Sequence, residues 1–172
     1  MTLPSPIPPD DPQRRLAVVR PETDDDLQYI ALAGDVYTIL LSGKQTDGRY
    51  CLIDMHVPPG GGPPPHRHDF EEMFTLLEGQ LRFTFRGEEV DVKAGETVNI
   101  PANAPHFFRN VSDQPARMLC MCTPAGQEEY FLQVAVPIES PTAPPPQLSE
   151  AEQAASREKA AQLAAQYRTE FL

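Results

Sequence analysis

Residues 60–79 (GGGPPPHRHDFEEMFTLLEG) contain the side chains best suited to chemistry in this chain. His66 and His68 are one residue apart, and Glu72 follows four residues after the second histidine. On an extended strand, residues i and i+2 point to the same face, so the two imidazoles are directed at one point. A strand and a turn then bring Glu72 towards that point. Two imidazoles and a carboxylate are ligands that a divalent transition metal prefers.

A third imidazole, His106, lies downstream of a Pro-Ala-Asn-Ala-Pro turn whose two prolines restrict the backbone. Together with His66, His68 and Glu72 it supplies three nitrogens and one oxygen. This donor set suits Fe(II), Mn(II), Ni(II), Cu(II) or Zn(II), so the sequence predicts one divalent transition metal ion of unspecified identity. In an octahedral site, two positions would remain for water, O₂ or a chelating substrate.

Both stretches resemble the two motifs of the cupin family. The first motif, G-x5-H-x-H-x3–4-E-x6-G, is matched at every spacing by Gly60, His66, His68, Glu72 and Gly79. The second motif, G-x5-P-x-G-x2-H-x3-N, is matched by Gly95, Pro101, His106 and Asn110. Asn103 stands where the family has glycine, and asparagine tolerates the left-handed backbone conformation better than most residues.

The motif sequences are similar to those of small single-domain cupins that are described as quercetin-dioxygenase-like. The resemblance covers roughly residues 35–125. It implies a double-stranded β-helix barrel, metal ligands at His66, His68, Glu72 and His106, and a homodimer. It also implies that Glu72 either stays a ligand or detaches to act as a general base.

Other residues compete for roles at this site. Adjacent residues of a strand point to opposite faces, so only one of Glu71 and Glu72 can be a ligand, and the motif spacing favours Glu72. His56, the fourth histidine, lies in an upstream strand, and we interpret it as part of the core or of a pocket wall. Cys120 and Cys122 are interpreted as small buried hydrophobic side chains.

Five phenylalanines lie near the motifs and are candidates for lining an apolar pocket: Phe74, Phe83, Phe85, Phe107 and Phe108. A barrel needs most such residues to fill its core. Phe108 shares the strand face of His106, which makes it the best pocket candidate. We therefore expect Phe74 and Phe108 to line the pocket and the others to contribute mainly to the core.

The elements that position these residues are predicted to be short strands. Between residues 27 and 136, runs that alternate polar and apolar residues are separated by turn signals about every eight to twelve residues. Gln80–Phe85 is one such run, and Tyr130–Val136 is predicted to be the last strand. No segment of helical period interrupts this range. The predicted fold class is all-β, a jelly-roll barrel with a C-terminal α-helix.

The chain divides into four predicted segments. These are a Pro-rich and acidic N-terminal arm (1–26), the barrel (27–136), a Pro-rich linker (137–147) and a C-terminal helix (148–172). Ser149 and Glu152 form a capping-box pattern at the start of the helix. The helix has one modest apolar face, so we expect it to pack on the barrel or on a second subunit.

Composition limits the classes of partner. The 172 residues have a net charge of −11, which argues against a general nucleic-acid or anionic-membrane partner. Three cysteines are too few and too oddly placed for a disulfide framework, which favours a reducing cytoplasm. The N-terminus lacks the features of a signal peptide, and no apolar run has the length of a membrane span. We expect a cytoplasmic homodimer that binds a small-molecule substrate.

Three functions remain open from the sequence. The first is a dioxygenase-like enzyme that acts with O₂ on an enol, catechol or flavonol-like chelating substrate, with Glu72 as ligand or base. The second is a non-oxidative isomerase or decarboxylase that acts on a small sugar or hydroxy acid. The third is a metal-containing binding protein without turnover, because pocket shape rather than the ligand set decides between these functions.

Overall fold

The computed structural model describes residues 7–21 and 23–172. The predicted N-terminal arm is therefore only partly covered, since residues 1–6 and 22 lie outside the described residues. The strands are β1 (Gln28–Leu32), β2 (Asp35–Leu41), β3 (Cys51–Val57), β4 (His66–His68), β5 (Glu71–Glu78), β6 (Gln80–Phe85), β7 (Glu88–Lys93), β8 (Thr97–Ile100), β9 (His106–Arg109), β10 (Ala116–Thr123), β11 (Val136–Ile138) and β12 (Thr169–Phe171). The α-helices are α1 (Gly43–Thr46), α2 (Gln127–Val134) and α3 (Glu150–Ala164). Within the described ranges, no helix is long and apolar enough to cross a membrane.

The strands form two antiparallel sheets. The seven-stranded sheet has the order β11-β1-β2-β3-β10-β5-β8, and the five-stranded sheet has the order β12-β4-β9-β6-β7. Aromatic side chains join the sheets, because Phe74 of the larger sheet lies with its ring centroid 5.4 Å from Phe83 and 5.6 Å from Phe108 of the smaller sheet. The predicted all-β jelly roll with a C-terminal helix is confirmed.

Alternating side chains explain why these segments form strands. In β10, Ala116, Met118, Cys120 and Cys122 are buried, whereas the residues between them are more accessible. A period of two places every second side chain in the core, and burial of apolar side chains is the main stabilising contribution. β10 pairs with β3 on one side and β5 on the other, so it is an internal strand of the larger sheet, and its inward side chains lie in the core.

The proline-rich loop between β3 and β4 is tied to the end of β9. Gly60 N donates to the Asn110 carbonyl oxygen at 2.8 Å, and Asn110 N donates to the Gly61 carbonyl oxygen at 3.0 Å. The Asn110 side chain, which is 1% exposed, donates to the carbonyl oxygens of Val57 and Gln114. This pairing brings β4 beside β9, where His66 lies directly opposite His106.

The prediction of a last strand at Tyr130–Val136 is wrong, because most of this segment belongs to α2. Tyr130, Phe131 and Val134 are buried, which is a helical spacing that the β-prone residue types conceal. The Glu128 carboxylate accepts hydrogen bonds from Gly126 N and Gly43 N, at 2.8 and 2.6 Å. These contacts stabilise the start of the helix, and regular strand structure resumes only at β11.

The predicted helix of residues 148–172 begins with the expected capping box at Ser149 and Glu152 but ends earlier than predicted. After Ala164 and a short 3-10 turn, Arg168 adopts a φ of 60°, and the chain continues as β12 along β4. Backbone pairing with β4 therefore replaces the last helical turns. α3 packs on its own chain, where the Tyr130 hydroxyl donates to the Ala160 carbonyl oxygen at 2.9 Å. The homodimer stays a prediction.

A substitution at Gly62 tests how closely the loop between β3 and β4 must approach β9. The φ of Gly62 is 126°, and a Cβ at this position would lie 2.2 Å from the Phe108 carbonyl oxygen. We expect Gly62→Ala to lower the free energy of unfolding by more than about 2 kcal/mol, measured by urea denaturation. Gly87→Ala is the matched control, because Gly87 also has a positive φ, of 87°, but open space around an added Cβ. Equal losses in the two variants would contradict the close approach.

Candidate metal centre

The four predicted ligands come from both sheets. His66 and His68 lie on β4 and point inward on either side of the exposed Arg67. His106 is the first residue of β9. All three histidines belong to the five-stranded sheet, whereas Glu72 is the second residue of β5 in the seven-stranded sheet. The packing of one sheet on the other therefore assembles the cluster.

The ligand atoms of these residues converge. One nitrogen from each histidine and one carboxylate oxygen lie within 4.8 Å of one another. Glu72 Oε2 lies 3.0 Å from His68 Nε2 and 3.2 Å from His106 Nε2. The four side chains are buried, with exposed fractions of 2–8%. We call this group the four-donor cluster.

Backbone carbonyl groups orient each imidazole. Nδ1 lies 2.8 Å from the Pro64 oxygen in His66, 3.0 Å from the Phe70 oxygen in His68, and 2.9 Å from the Ala104 oxygen in His106. A carbonyl oxygen only accepts hydrogen bonds, so we assign the proton of each neutral ring to Nδ1. The Nε2 lone pairs then face the interior of the cluster, as metal-ligating histidines require.

This arrangement fits a bound cation. Without one, the Nε2 lone pairs of His68 and His106 face the lone pairs of Glu72, which is repulsive unless a proton intervenes. Burial alone would raise the pKa of Glu72, but when Nε2 of His106 and His68 carries a proton, the hydrogen bonds from these rings outweigh burial and hold that pKa below its usual range. Three imidazole nitrogens and one ionised carboxylate are suitable donors for a divalent transition metal.

The histidines differ in their proton affinity. Burial and, to a smaller extent, the nearby His106 together lower the pKa of His66 to about 4, so His66 is neutral near pH 7. Burial also opposes protonation of His106, but the Glu72 carboxylate outweighs it and raises the pKa of His106. The negative charge of Glu72 therefore attracts a proton or a metal ion to this side of the cluster.

Two thiols contact the other oxygen of Glu72. Cys120 Sγ lies 3.3 Å and Cys122 Sγ lies 3.7 Å from Glu72 Oε1. Burial raises the pKa of Cys120 to about 12, and the hydrogen bond with Cys120 keeps the pKa of Cys122 well above its usual value. The three residues lie close enough to form a second donor group. Because both thiols are protonated, we assign them as hydrogen-bond donors that position Glu72, a role that the sequence interpretation missed.

Glu71 and His56, the other acidic and imidazole side chains considered for this site, lie outside the four-donor cluster. Glu71 accepts hydrogen bonds from Asn99 Nδ2 at 3.0 Å and Ala102 N at 3.1 Å, on the opposite face of β5 from Glu72. The interpretation of His56 as core or pocket wall is wrong, because its side chain is 38% exposed and lies 3.8 Å from Asp54. Asn103 has a φ of 68°, so the left-handed conformation expected at this position is confirmed.

The cluster borders a cavity of about 900 Å³ with mostly apolar walls. His66 and Glu72 line it, together with Phe74 and Phe108, where we expected pocket residues. Several lining residues were not predicted: Asp35, Tyr37, Gln127, Tyr130 and Phe131. The one indication in the sequence was Asp35, an aspartate at the start of a strand whose other residues are mostly apolar. The α2 residues could not be found while that segment was assigned to a strand.

Comparisons with known proteins identify relatives. A family model described as "Cupin domain" matches residues 53–122. An uncharacterised protein of Methanocaldococcus jannaschii is 30% identical over 66% of this chain and 93% of its own length. The quercetin 2,3-dioxygenase of Bacillus subtilis is 29% identical over 63% of this chain, and the match spans 32% of that protein. The polyketide synthase protein CurC of Streptomyces cyaneus is 34% identical over 53% of this chain and 60% of its own length.

Solved structures share the fold. A predicted oxalate decarboxylase from Thermotoga maritima superimposes with a TM-score of 0.57 at 20% identity, over 63% of this chain and 99% of its own. The polyketide cyclase RemF from Streptomyces resistomycificus superimposes with a TM-score of 0.55 at 24% identity, over 79% of this chain and 89% of its own. At these identities the likeness concerns the fold alone.

Removal of one imidazole tests the cluster. We expect His106→Ala to weaken Zn(II) binding at least about a hundredfold, since one of four donors is lost. Isothermal titration and elemental analysis of the purified protein measure this loss. His56→Ala is the matched control, because it removes a histidine that lies outside the cluster. Equal Zn(II) affinity in the two variants would contradict the assignment.

The thiol contact with Glu72 gives a separate prediction. Cys120→Val removes a donor to Glu72 Oε1 while nearly keeping side-chain volume, and we expect Zn(II) affinity to fall about tenfold. Cys120→Ser should restore part of the affinity, because a hydroxyl also donates. Cys51→Val is the control, since Cys51 is equally buried but makes no hydrogen bond to Glu72. Competition titration against a chelator measures all three, and equal affinities would mean that Cys120 only fills space.

Proposed function

The chain belongs to the cupin family, and on that premise we propose that it is a metal-dependent, dioxygenase-like enzyme. Its substrate is a small molecule with chelating oxygens of enol, catechol or flavonol type. The observation that carries the proposal is the buried four-donor cluster, of the kind typical of cupin metal sites, in the wall of an apolar cavity. The similarity to a quercetin 2,3-dioxygenase supports the choice of substrate class.

We assign the metal ligands to Nε2 of His66, His68 and His106 and to Oε2 of Glu72. A bound transition metal ion supplies Lewis acidity toward a substrate hydroxyl and, where it is redox-active, electron transfer to O₂. Both atoms of O₂ enter the substrate in a dioxygenase reaction, so no further reductant is required. The metal in the cell is one of Fe, Mn, Ni, Cu or Zn.

The chain's own side chains have two roles in this proposal. Glu72 takes up the proton of the substrate hydroxyl, because its carboxylate is charged and lies inside the cluster. In this role Oε2 would leave its ligand position to exchange the proton, while the Cys120 and Cys122 thiols keep Oε1 in place. Phe74 and Phe108 pack against the substrate body, since aromatic side chains provide large apolar contact areas.

A non-oxidative metalloenzyme is the second candidate. The same donors can polarise a carbonyl group without O₂, as in an isomerase or a decarboxylase that acts on a small sugar or hydroxy acid. The observation that favours this candidate is the similarity to CurC, a protein that is not named for oxygen chemistry. Turnover under strict anaerobiosis separates it from the dioxygenase-like proposal.

Metal reconstitution tests the proposed activity. The protein is stripped with a chelator, reloaded separately with Fe(II), Mn(II), Ni(II) or Cu(II), and assayed for O₂ uptake with flavonols and other enediol-like compounds. We expect uptake to depend on the metal and, per bound metal, to fall at least about a hundredfold in Glu72→Gln. Glu71→Gln is the control, since Glu71 lies on the other face of β5 and should retain wild-type uptake.

Other outcomes would redirect the proposal. An absence of metal-dependent O₂ uptake across the panel would contradict dioxygenase-like activity. Conversion without O₂ would favour the non-oxidative candidate. A compound that binds the metal-loaded protein saturably but is never converted would support a binding protein without turnover.

A further inference from the structure

Two buried oxygens in the described part of the chain lack a hydrogen-bond partner. They are Asp35 Oδ1 and Gln127 Oε1. Asp35 is 1% exposed and Gln127 is 5% exposed, so water does not freely solvate either side chain. Folded proteins satisfy nearly all buried polar groups, because leaving one unpaired is unfavourable. Two exceptions in one small barrel therefore require a physical reason.

Both residues line the cavity that borders the four-donor cluster. Asp35 begins β2, and Gln127 begins α2, so they enter the cavity wall from different elements. The walls near them are aromatic, with Tyr37 and Phe131 packed at a ring-centroid distance of 5.2 Å. The two unpaired oxygens are thus polar points in a largely apolar wall. Their shared cavity points to a ligand as the missing partner.

The neighbouring groups of Asp35 differ between its two carboxyl oxygens. The Tyr37 hydroxyl donates to Asp35 Oδ2 at 3.1 Å, whereas Oδ1 accepts no hydrogen bond of good geometry, although the Gly62 N–H lies near the carboxyl group. Burial raises the pKa of Asp35 to about 7, although Tyr37, the Gly62 N–H and the charge of Arg109 each favour its ionised form. A carboxyl group with a pKa in this range is present in both forms near neutral pH; it accepts a hydrogen bond when ionised and donates one when neutral.

We propose that Asp35 and Gln127 form a hydroxyl-binding subsite for a polyhydroxylated aromatic ligand whose chelating oxygens reach the four-donor cluster. The subsite accepts hydrogen bonds from ring hydroxyl groups that lie away from the chelating end. This inference deepens the proposed function and relies on it for the chelating end of the ligand. The aromatic walls bind the ring system, and the two oxygens select its substitution pattern.

The atoms that are missing a partner determine the ligand chemistry. Gln127 Oε1 is an acceptor, and Asp35 Oδ1 is one when its carboxyl group is ionised, so the ligand must supply donors at this end. Hydroxyl groups fit this wall better than ammonium groups, because a buried ammonium is strongly unfavourable without a charged partner and the Gln127 oxygen carries no charge. The cavity of about 900 Å³ lies in the range that accommodates small organic molecules.

A matched pair of flavonols tests the subsite without turnover. Quercetin and 3-hydroxyflavone share the 3-hydroxy-4-keto chelating unit, but only quercetin has hydroxyl groups on the other rings. Dissociation constants are measured by absorbance titration on the Zn(II)-loaded protein under anaerobic conditions. We expect quercetin to bind the wild-type protein at least roughly tenfold more tightly than 3-hydroxyflavone.

Substitutions then show which residues cause the preference for quercetin over 3-hydroxyflavone. Gln127→Met nearly keeps volume and removes the acceptor, so quercetin affinity should fall roughly tenfold while 3-hydroxyflavone affinity stays the same. Gln153→Met is the matched control, because Gln153 lines the same cavity but its amide donates to the Leu148 carbonyl oxygen. The double variant Asp35→Leu/Tyr37→Phe removes a hydrogen-bonded pair together and should reduce the same preference without leaving Tyr37 unpaired.

The results separate the subsite from the enzyme activity. Equal affinity of the two flavonols for the wild-type protein, or no binding of either, would overturn the subsite. So would a Gln127→Met variant that weakens both compounds equally, since that would be an effect of shape. A hydroxyl preference that depends on Gln127, without O₂ uptake by the reconstituted protein, would keep the subsite and remove only the dioxygenase-like activity.

Discussion

The buried carboxylate of Glu72 is the constraint on which the site depends. It lies between the two sheets, where an unpaired charge is strongly unfavourable. One oxygen faces imidazole nitrogens of the smaller sheet, and the other faces thiols of the larger sheet. A cation at the imidazole side would compensate the charge and hold the sheets together. Metal binding and closure of the barrel would therefore stabilise each other.

Local backbone structure orients the imidazoles. Each Nδ1 contacts a carbonyl group only two residues away in the chain, and prolines restrict the segments before His66 and His106. The rings therefore lose little conformational freedom when a cation binds. The carboxylate is different, because its thiol partners come from β10, 48 and 50 residues away in the sequence. Three donors are fixed locally, whereas the fourth depends on sheet pairing.

The same distinction explains what could be predicted from the sequence. Strand alternation and motif spacing are short-range patterns, and they were sufficient to predict the jelly roll and the grouping of His66, His68, Glu72 and His106. α2 was missed because YFLQVAV is rich in residues that favour strands, and its helical burial depends on the barrel that it covers. The partners of Glu72 and the cavity positions of Asp35 and Gln127 depend on tertiary packing. Periodicity within one segment contains no information about such contacts.

The pairing of β12 with β4 also has a consequence for the order of assembly. Thr169 and Phe171 lie opposite His68 and His66, so the strand that presents two ligands is completed by residues that are synthesised about a hundred positions later. Until then, β4 is paired only with β9, at the single position where His66 meets His106. A nascent barrel would expose one edge of its ligand strand. Binding of a cation and pairing of the final strand would therefore be linked in time as well as in space.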